Sequence, residues 1–430
     1  MVNGHEVHLN LNVRGLPISA TLGINEQSNL MLGQGKQVFR LGLGQSPFPV
    51  PVPIVKELQA NAHQKDYLPV KGLPALCDAV AGYYRRTQNL SYTGDDVLIG
   101  PGSKELMFIL QLVYYGDLVI PTPSWVSYAP QANIVGRPVR WVATEEKNNW
   151  LLTPEELDKL CCNDPTKPRI VILNYPNNPA GYSYSEDQLR ALAETARKYK
   201  IILLSDEIYG ELNFKGNHQS IARYYPEGTI ISSGLSKWAG AGGWRLGTFT
   251  FPSSLSWLRE SMAVVASETF TATSAPIQYA AVRAFRGGVE LERYLVNSRR
   301  ILQGLSEWIW TSLTDAGVMV AKPEGAFYMF PNFEPLRDSL VDRGINSGAE
   351  LCRKLLDETG VAMLPGSSFG RPENELTARM AFVDFDGARA LAAVEQLSND
   401  NNIDEIFLRE YCGKVLMAID LMIDWLKRTS

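Results

Sequence analysis

The 430-residue sequence predicts an α/β protein in which a doubly wound domain on a mainly parallel sheet is followed by a smaller α+β domain. Three observations carry this expectation. Short apolar runs bounded by turn residues recur through the middle of the chain, and segments with helical spacing lie between them. From about Gly288 the texture changes to one long helical pattern followed by short strands. The chain is also longer than one simple core accommodates, so two packed domains are the natural arrangement.

Taken in order, the apolar runs are 97–99, 118–120, 170–173, 201–204, 230–232 and 246–251, each reading as a buried parallel strand. Helical spacing covers 106–114 after Ser103 and 189–199 after the capping candidate Ser185. The long helical pattern runs to Leu313, and short strands are predicted at 327–330 and 380–383. A polar stretch at 398–404 then precedes a last amphipathic helix over 406–426. There is no internal repeat and no low-complexity tract, which excludes solenoids.

Composition narrows the function by exclusion. Hydrophobic residues make up 45% and charged residues 20%, close to the average for globular proteins, and the net charge is −5. No stripe of Lys and Arg suits nucleic acid or an anionic membrane, so the expected partners are small molecules. The start MVNGHEVHLN has no signal-peptide pattern, and no apolar segment is long enough to span a bilayer, so a cytoplasmic location is expected. Five cysteines, with Cys161 and Cys162 adjacent and no CxxC pair, fit a reducing compartment. Only four histidines occur, three of them early (His5, His8 and His63), which leaves little material for a metal site or a Ser-His-Asp triad.

In open parallel sheets ligands bind beyond the carboxyl ends of the strands. After 97–99 comes GPGSKELMF, where Gly102, Ser103 and Lys104 open a helix whose free N–H groups suit a phosphate. The next runs end in NYPNNPAG and SDEIYG, which bring Asn178, Asp206 and Tyr209 to neighbouring sheet positions. An acid, an amide and a phenol suit a heteroaromatic ring, although each one alone reads equally well as a turn residue or helix cap. The stretch SSGLSKWAGAGGWRLG places Lys237 and Arg245 in a Gly-rich segment where backbone can approach a ligand closely.

From about Ser19 to about Gly387 these motifs, in this order, resemble the class I/II aminotransferases of pyridoxal-phosphate (PLP) fold type I. The pattern comprises an SAT segment, a tyrosine before KGLPALC, the glycine-opened loop, PSWVSY, NNPAG, SDEIY, SK with GWRLG, and a late arginine. It is closest to the prokaryotic-type aspartate aminotransferase subgroup. The resemblance implies a large domain with a mainly parallel seven-stranded sheet over 51–290. It also implies a small domain with an extra terminal helix over 291–430, and an N-terminal segment, 1–50, packing with that small domain.

The same resemblance implies pyridoxal 5'-phosphate as cofactor, carried as a Schiff base on Lys237, which then moves the proton between substrate Cα and cofactor. Asp206 pairs with the ring nitrogen and keeps it protonated, while Asn178 and Tyr209 hydrogen-bond the ring's phenolate oxygen. The phosphate is held by the N–H groups of Ser103 and Lys104 in the loop opened by Gly102, by the Ser236 hydroxyl, and by the Arg245 fork. Trp125 stacks on the ring. Tyr67 reaches the phosphate of a neighbouring subunit, which implies a homodimer with shared sites. One departure is Gly234, where many relatives carry serine, so that one phosphate hydrogen bond is missing or replaced by water.

For substrate, Arg379 matches the clamp on the α-carboxylate, helped by Asn178 and the backbone near Gly44. Thr21 and Lys104 match positions near a distal carboxylate, which implies aspartate or glutamate as donor and 2-oxoglutarate as an acceptor in a ping-pong reaction. Fold similarity alone also admits a PLP lyase or decarboxylase acting on an amino acid. A non-catalytic regulator is disfavoured because the chain before Ser19 is too short for a DNA-binding domain. The extension from Asn399 to Ser430 carries no assigned role.

Overall fold

The computed structural model describes residues 8–397 and 403–428. Seven strands form the main sheet: β1 (Val97–Gly100), β2 (Asp117–Thr122), β3 (Val139–Ala143), β4 (Arg169–Asn174), β5 (Ile202–Asp206), β6 (Thr229–Gly234) and β7 (Gly247–Thr250). Their spatial order is β1-β7-β6-β5-β4-β2-β3. Neighbours are parallel except around β7, which runs antiparallel to both β1 and β6. The run 246–251 is therefore not a parallel strand as its composition suggests. A strand buried on both faces is apolar throughout whichever way it runs.

Strand side chains alternate between two helical layers. Ile170 and Ile172 face a cluster with Leu106, Met107 and Leu110 of helix Ser103–Val113 and Leu258 and Met262 of helix Ser256–Thr269. Val171 and Leu173 face the opposite cluster, with Leu157 of Pro154–Cys161 and Leu189 and Leu192 of Glu186–Lys198. Ser185 caps the last of these helices in a capping box with Gln188. Strand β3 has no apolar run in the sequence because it is an edge strand, largely open to solvent.

Beyond the long helix Val289–Asp315, strands Tyr328–Met329, Ala378–Ala381 and Leu364–Pro365 form a small antiparallel sheet. The early strand Phe39–Arg40 pairs in parallel with Val361–Ala362, which brings the front of the chain against this region. The single terminal helix expected over 406–426 is instead two helices, Glu405–Tyr411 and Gly413–Leu426, broken at Cys412. Most of the polar stretch 398–404 lies outside the described residues. Among the described residues no helix is long and apolar enough to cross a membrane, and all five cysteines are unpaired.

Candidate active site

The parallel strands β4, β5 and β6 end at one level, and their carboxyl ends floor a cavity of about 440 Å³. Gly44, Ser103, Lys104, Trp125, Asn178, Asp206, Tyr209, Ser236, Lys237 and Arg245 all line it. These residues come from the loops after separate strands, which is why motifs so far apart in sequence meet.

Asp206 is the last residue of β5 and is buried. Its Oδ2 accepts from the Tyr128 hydroxyl at 2.6 Å, while Oδ1 has only a longer contact, 3.4 Å, from Ser232 Oγ. Burial raises its pKa from the ordinary 3.8 to about 6, against the opposing pull of hydrogen bonds from Tyr128, the Ile208 N–H and Ser232. Asn174, which ends β4, donates through Nδ2 to the Asp206 carbonyl at 2.8 Å and accepts the Asn178 N–H at 2.7 Å. The amide thus ties the two strand ends together.

Lys237 follows β6, and its Nζ donates to the Gly44 carbonyl at 2.8 Å. The ammonium lies 5.6 Å from the centre of the Tyr209 ring. Tyr209 is buried, and its hydroxyl is 2.8 Å from that of Tyr328. Gly44 must be glycine, since a Cβ there would meet the Tyr328 hydroxyl at 1.9 Å.

The far end of the cavity is cationic. Helix Ser103–Val113 starts after Gly102, whose φ of 91° suits glycine and whose absent Cβ leaves space for the Arg245 guanidinium. Arg245 donates to the carbonyls of Gly242 at 3.0 Å and Pro101 at 3.3 Å. The Lys104 ammonium sits 5.1 Å from the Trp125 ring centre. Although Lys104 as a residue is exposed, partial burial of its ammonium, then Arg245 and Lys237, hold its pKa below the usual range. Close packing sets the loop: a Cβ on Gly247 would meet the Ser103 nitrogen at 2.0 Å. Gly234 is explained in the same way, because a Cβ there would lie 2.6 Å from the Leu246 carbonyl oxygen.

Arg379 stands beside the cavity on strand Ala378–Ala381 and is fully buried. It donates from Nη1 to Asn178 Oδ1 at 3.3 Å and from Nη2 to the Gly42 carbonyl, with its guanidinium between the rings of Tyr328 and Phe369. Its Nε is buried with no protein partner. Burial lowers its pKa, so an anion is the natural complement to this cation. Four predicted residues do not line the cavity: Arg379 stands beside it, Gly102 lies behind the helix start, and Thr21 and Tyr67 are elsewhere. Thr21 lies in the first turn of helix Ala20–Gly33, its hydroxyl 3.1 Å from that of Ser19, and Tyr67 is 91% exposed. Tyr128, Tyr328 and Asn174 are site residues that sequence reasoning missed. Tyr128 closes the PSWVSY motif, and that was its one signal.

The donor set suits PLP: an amine, a buried carboxylate short of a positive partner, and a helix start with hydroxyls and a guanidinium for a phosphate. Residues 36–387 match the family described as aminotransferase class I and II. The chain is 34% identical over 373 residues to an aspartate aminotransferase of Geobacillus stearothermophilus, covering 84% of this chain and 92% of that protein. It is 32% identical over 368 residues to an asparagine--oxo-acid transaminase of Streptococcus mutans, covering 83% and 90%. Among solved structures, the aspartate aminotransferase of Thermus thermophilus with maleate aligns with a TM-score of 0.81 at 26% identity, over 90% of this chain and 97% of that one. That of Rhizobium meliloti aligns at 0.84 and 25%, over 99% and 100%. By motif, fold and relatives alike, the chain belongs to the class I and II aminotransferases and is a PLP-dependent aminotransferase.

Proposed function

We propose that this enzyme moves the amino group of an acidic L-amino acid, aspartate foremost, to a 2-oxo acid such as 2-oxoglutarate in a ping-pong reaction. The observation that carries this reading is the convergence of an amine, a buried carboxylate and an anion-binding helix start on one cavity beside a buried arginine. Pyridoxal 5'-phosphate, when bound, supplies an aldehyde that links to an amine and a cationic ring that draws electrons from the substrate Cα.

The chain's own residues divide the remaining work. Lys237 would hold the cofactor through Nζ and, freed by an incoming amino acid, would be the base that takes the Cα proton and passes it to the cofactor carbon that had carried the lysine. Asp206 keeps a proton on the ring nitrogen by offering a carboxylate. Asn178 accepts from Arg379 through Oδ1, which leaves its Nδ2 as a donor for the ring oxygen alongside the Tyr209 hydroxyl. The N–H groups of Ser103 and Lys104, the Ser236 hydroxyl and Arg245 hold the phosphate in the loop that Gly102 opens. Trp125, which lines the cavity, would pack against the ring.

Arg379 clamps the substrate α-carboxylate, with the backbone near Gly44 beside it. The preference for an acidic side chain rests mainly on the Lys104 ammonium, with Thr21 a contributor from outside the cavity wall of the single chain. The exposed Tyr67 fits a reach into a second copy, and we read the enzyme as a cytoplasmic homodimer.

Incubation with aspartate and 2-oxoglutarate is expected to yield glutamate, and Lys237→Ala to abolish that yield together with the lysine imine absorbance that responds to amino acids. A product formed from one amino acid alone, without consumption of an oxo acid, would instead identify a lyase or decarboxylase.

A further inference from the structure

Helix Gly413–Leu426 reaches toward the active site through one ion pair. Its second residue, Lys414, places Nζ 2.9 Å from Oδ1 and 2.8 Å from Oδ2 of Asp384. Through Oδ2, Asp384 also accepts the backbone N–H of Arg40 at 2.7 Å. Arg40 ends the strand that pairs with Val361–Ala362, and the chain runs directly on to Leu41 and Gly42. The Leu41 carbonyl accepts the Ala381 N–H at 2.7 Å, and the Gly42 carbonyl accepts Arg379 Nη2. Lys414, Asp384, the 40–42 backbone and the Arg379 guanidinium therefore form one unbroken chain of polar contacts.

Helix stability does not account for the lysine. A cation in the first turn opposes the helix dipole, so Lys414 is favourable there only through Asp384. The pair is unequal, with the Lys414 side chain 46% exposed and that of Asp384 only 16%. The carboxylate is thus fixed by its surroundings and the lysine closes over it from solvent. On the other side the Arg40 guanidinium donates to Asn29 Oδ1 at 2.8 Å, so the 40–42 segment is held from two directions.

We propose that Lys414 and Asp384 are positioning residues for substrate binding, holding the 40–42 backbone so that Gly42 aims the Arg379 fork. This rests on the reading of Arg379 as the α-carboxylate clamp. Gly42 packs closely against Ile24, since a Cβ on it would lie 2.8 Å from that side chain.

The test is steady-state kinetics of the holoenzyme with aspartate. Lys414→Met and Asp384→Asn are each expected to raise the KM for the amino acid about three- to ten-fold while kcat stays within about twofold. Lys414→Arg restores the wild-type KM. Arg389→Met breaks a neighbouring exposed pair with Glu410, 3.4 Å long, and leaves both constants unchanged. In an Arg379→Lys background, Lys414→Met adds no further rise. A wild-type KM in Lys414→Met, alongside a raised KM in Arg379→Lys, overturns the proposal, as does failure of Lys414→Arg to restore binding. A wild-type KM in Arg379→Lys overturns the clamp reading itself and this coupling with it.

Discussion

Replacing Asp206 by asparagine is expected to stabilise the cofactor-free protein at neutral pH, and only there. A carboxyl moved from 3.8 to about 6 by burial disfavours its ionised form in the folded protein by about 3 kcal/mol. Because the folded state binds this proton more tightly than the unfolded chain does, the contribution is fully present below about pH 4 and is lost as the pH rises through about 6. Asparagine keeps the shape and the hydrogen bond from Tyr128 but has nothing to ionise. The difference in unfolding free energy between variant and wild type should therefore grow by up to about 3 kcal/mol between about pH 4 and about pH 7.5. Urea denaturation of both proteins across that range, at one protein concentration, measures it. A difference that stays flat with pH would refute the argument that desolvation dominates at this carboxylate. With saturating cofactor the sign should reverse, because a cationic ring nitrogen stabilises the carboxylate that burial disfavours.

Further outcomes follow from other contacts. Arg379→Lys loses the planar fork and should lower kcat/KM for amino acids about 30- to 100-fold, measured by coupled assay. Tyr128→Phe removes the 2.6 Å donor to Asp206 and should push that carboxyl higher still, weakening cofactor affinity about tenfold in a spectroscopic titration. Gly234→Ser introduces the hydroxyl that the family resemblance leads one to expect, yet its Cβ meets the Leu246 carbonyl at 2.6 Å. A loss of about 1–3 kcal/mol in denaturant is expected, and an unchanged midpoint with tighter phosphate binding would show that the backbone yields.

The sequence exposed those parts of the fold and site in which signal and consequence are local. Buried strands such as Ile202–Asp206 announce themselves as apolar runs, and the residues just beyond them are the ones a sheet presents to a ligand. Direction is not local, which is why the antiparallel β7 read like its parallel neighbours. Tyr128 left only its place in PSWVSY as a signal and Tyr328 none, for a related reason. Their partners, Asp206 and Tyr209, are 78 and 119 residues away, and only tertiary packing pairs them. Edge strand β3 alternates too weakly to register, and the break at Cys412 is masked by apolar spacing that continues across it.

The route of the chain through the site has a consequence for synthesis. Every side chain proposed to touch the cofactor within one subunit precedes strand β7, whereas Arg379 and the Lys414 that braces it come near the end. At ribosomal rates of about 5–20 residues per second, roughly ten seconds separate the emergence of the cofactor bed from that of the arginine. A nascent chain in that interval presents the groups that attract a phosphorylated aldehyde but lacks the cation that admits an amino acid. Loading can thus begin before turnover is possible, and the last helices to be synthesised include the one proposed to brace the substrate clamp.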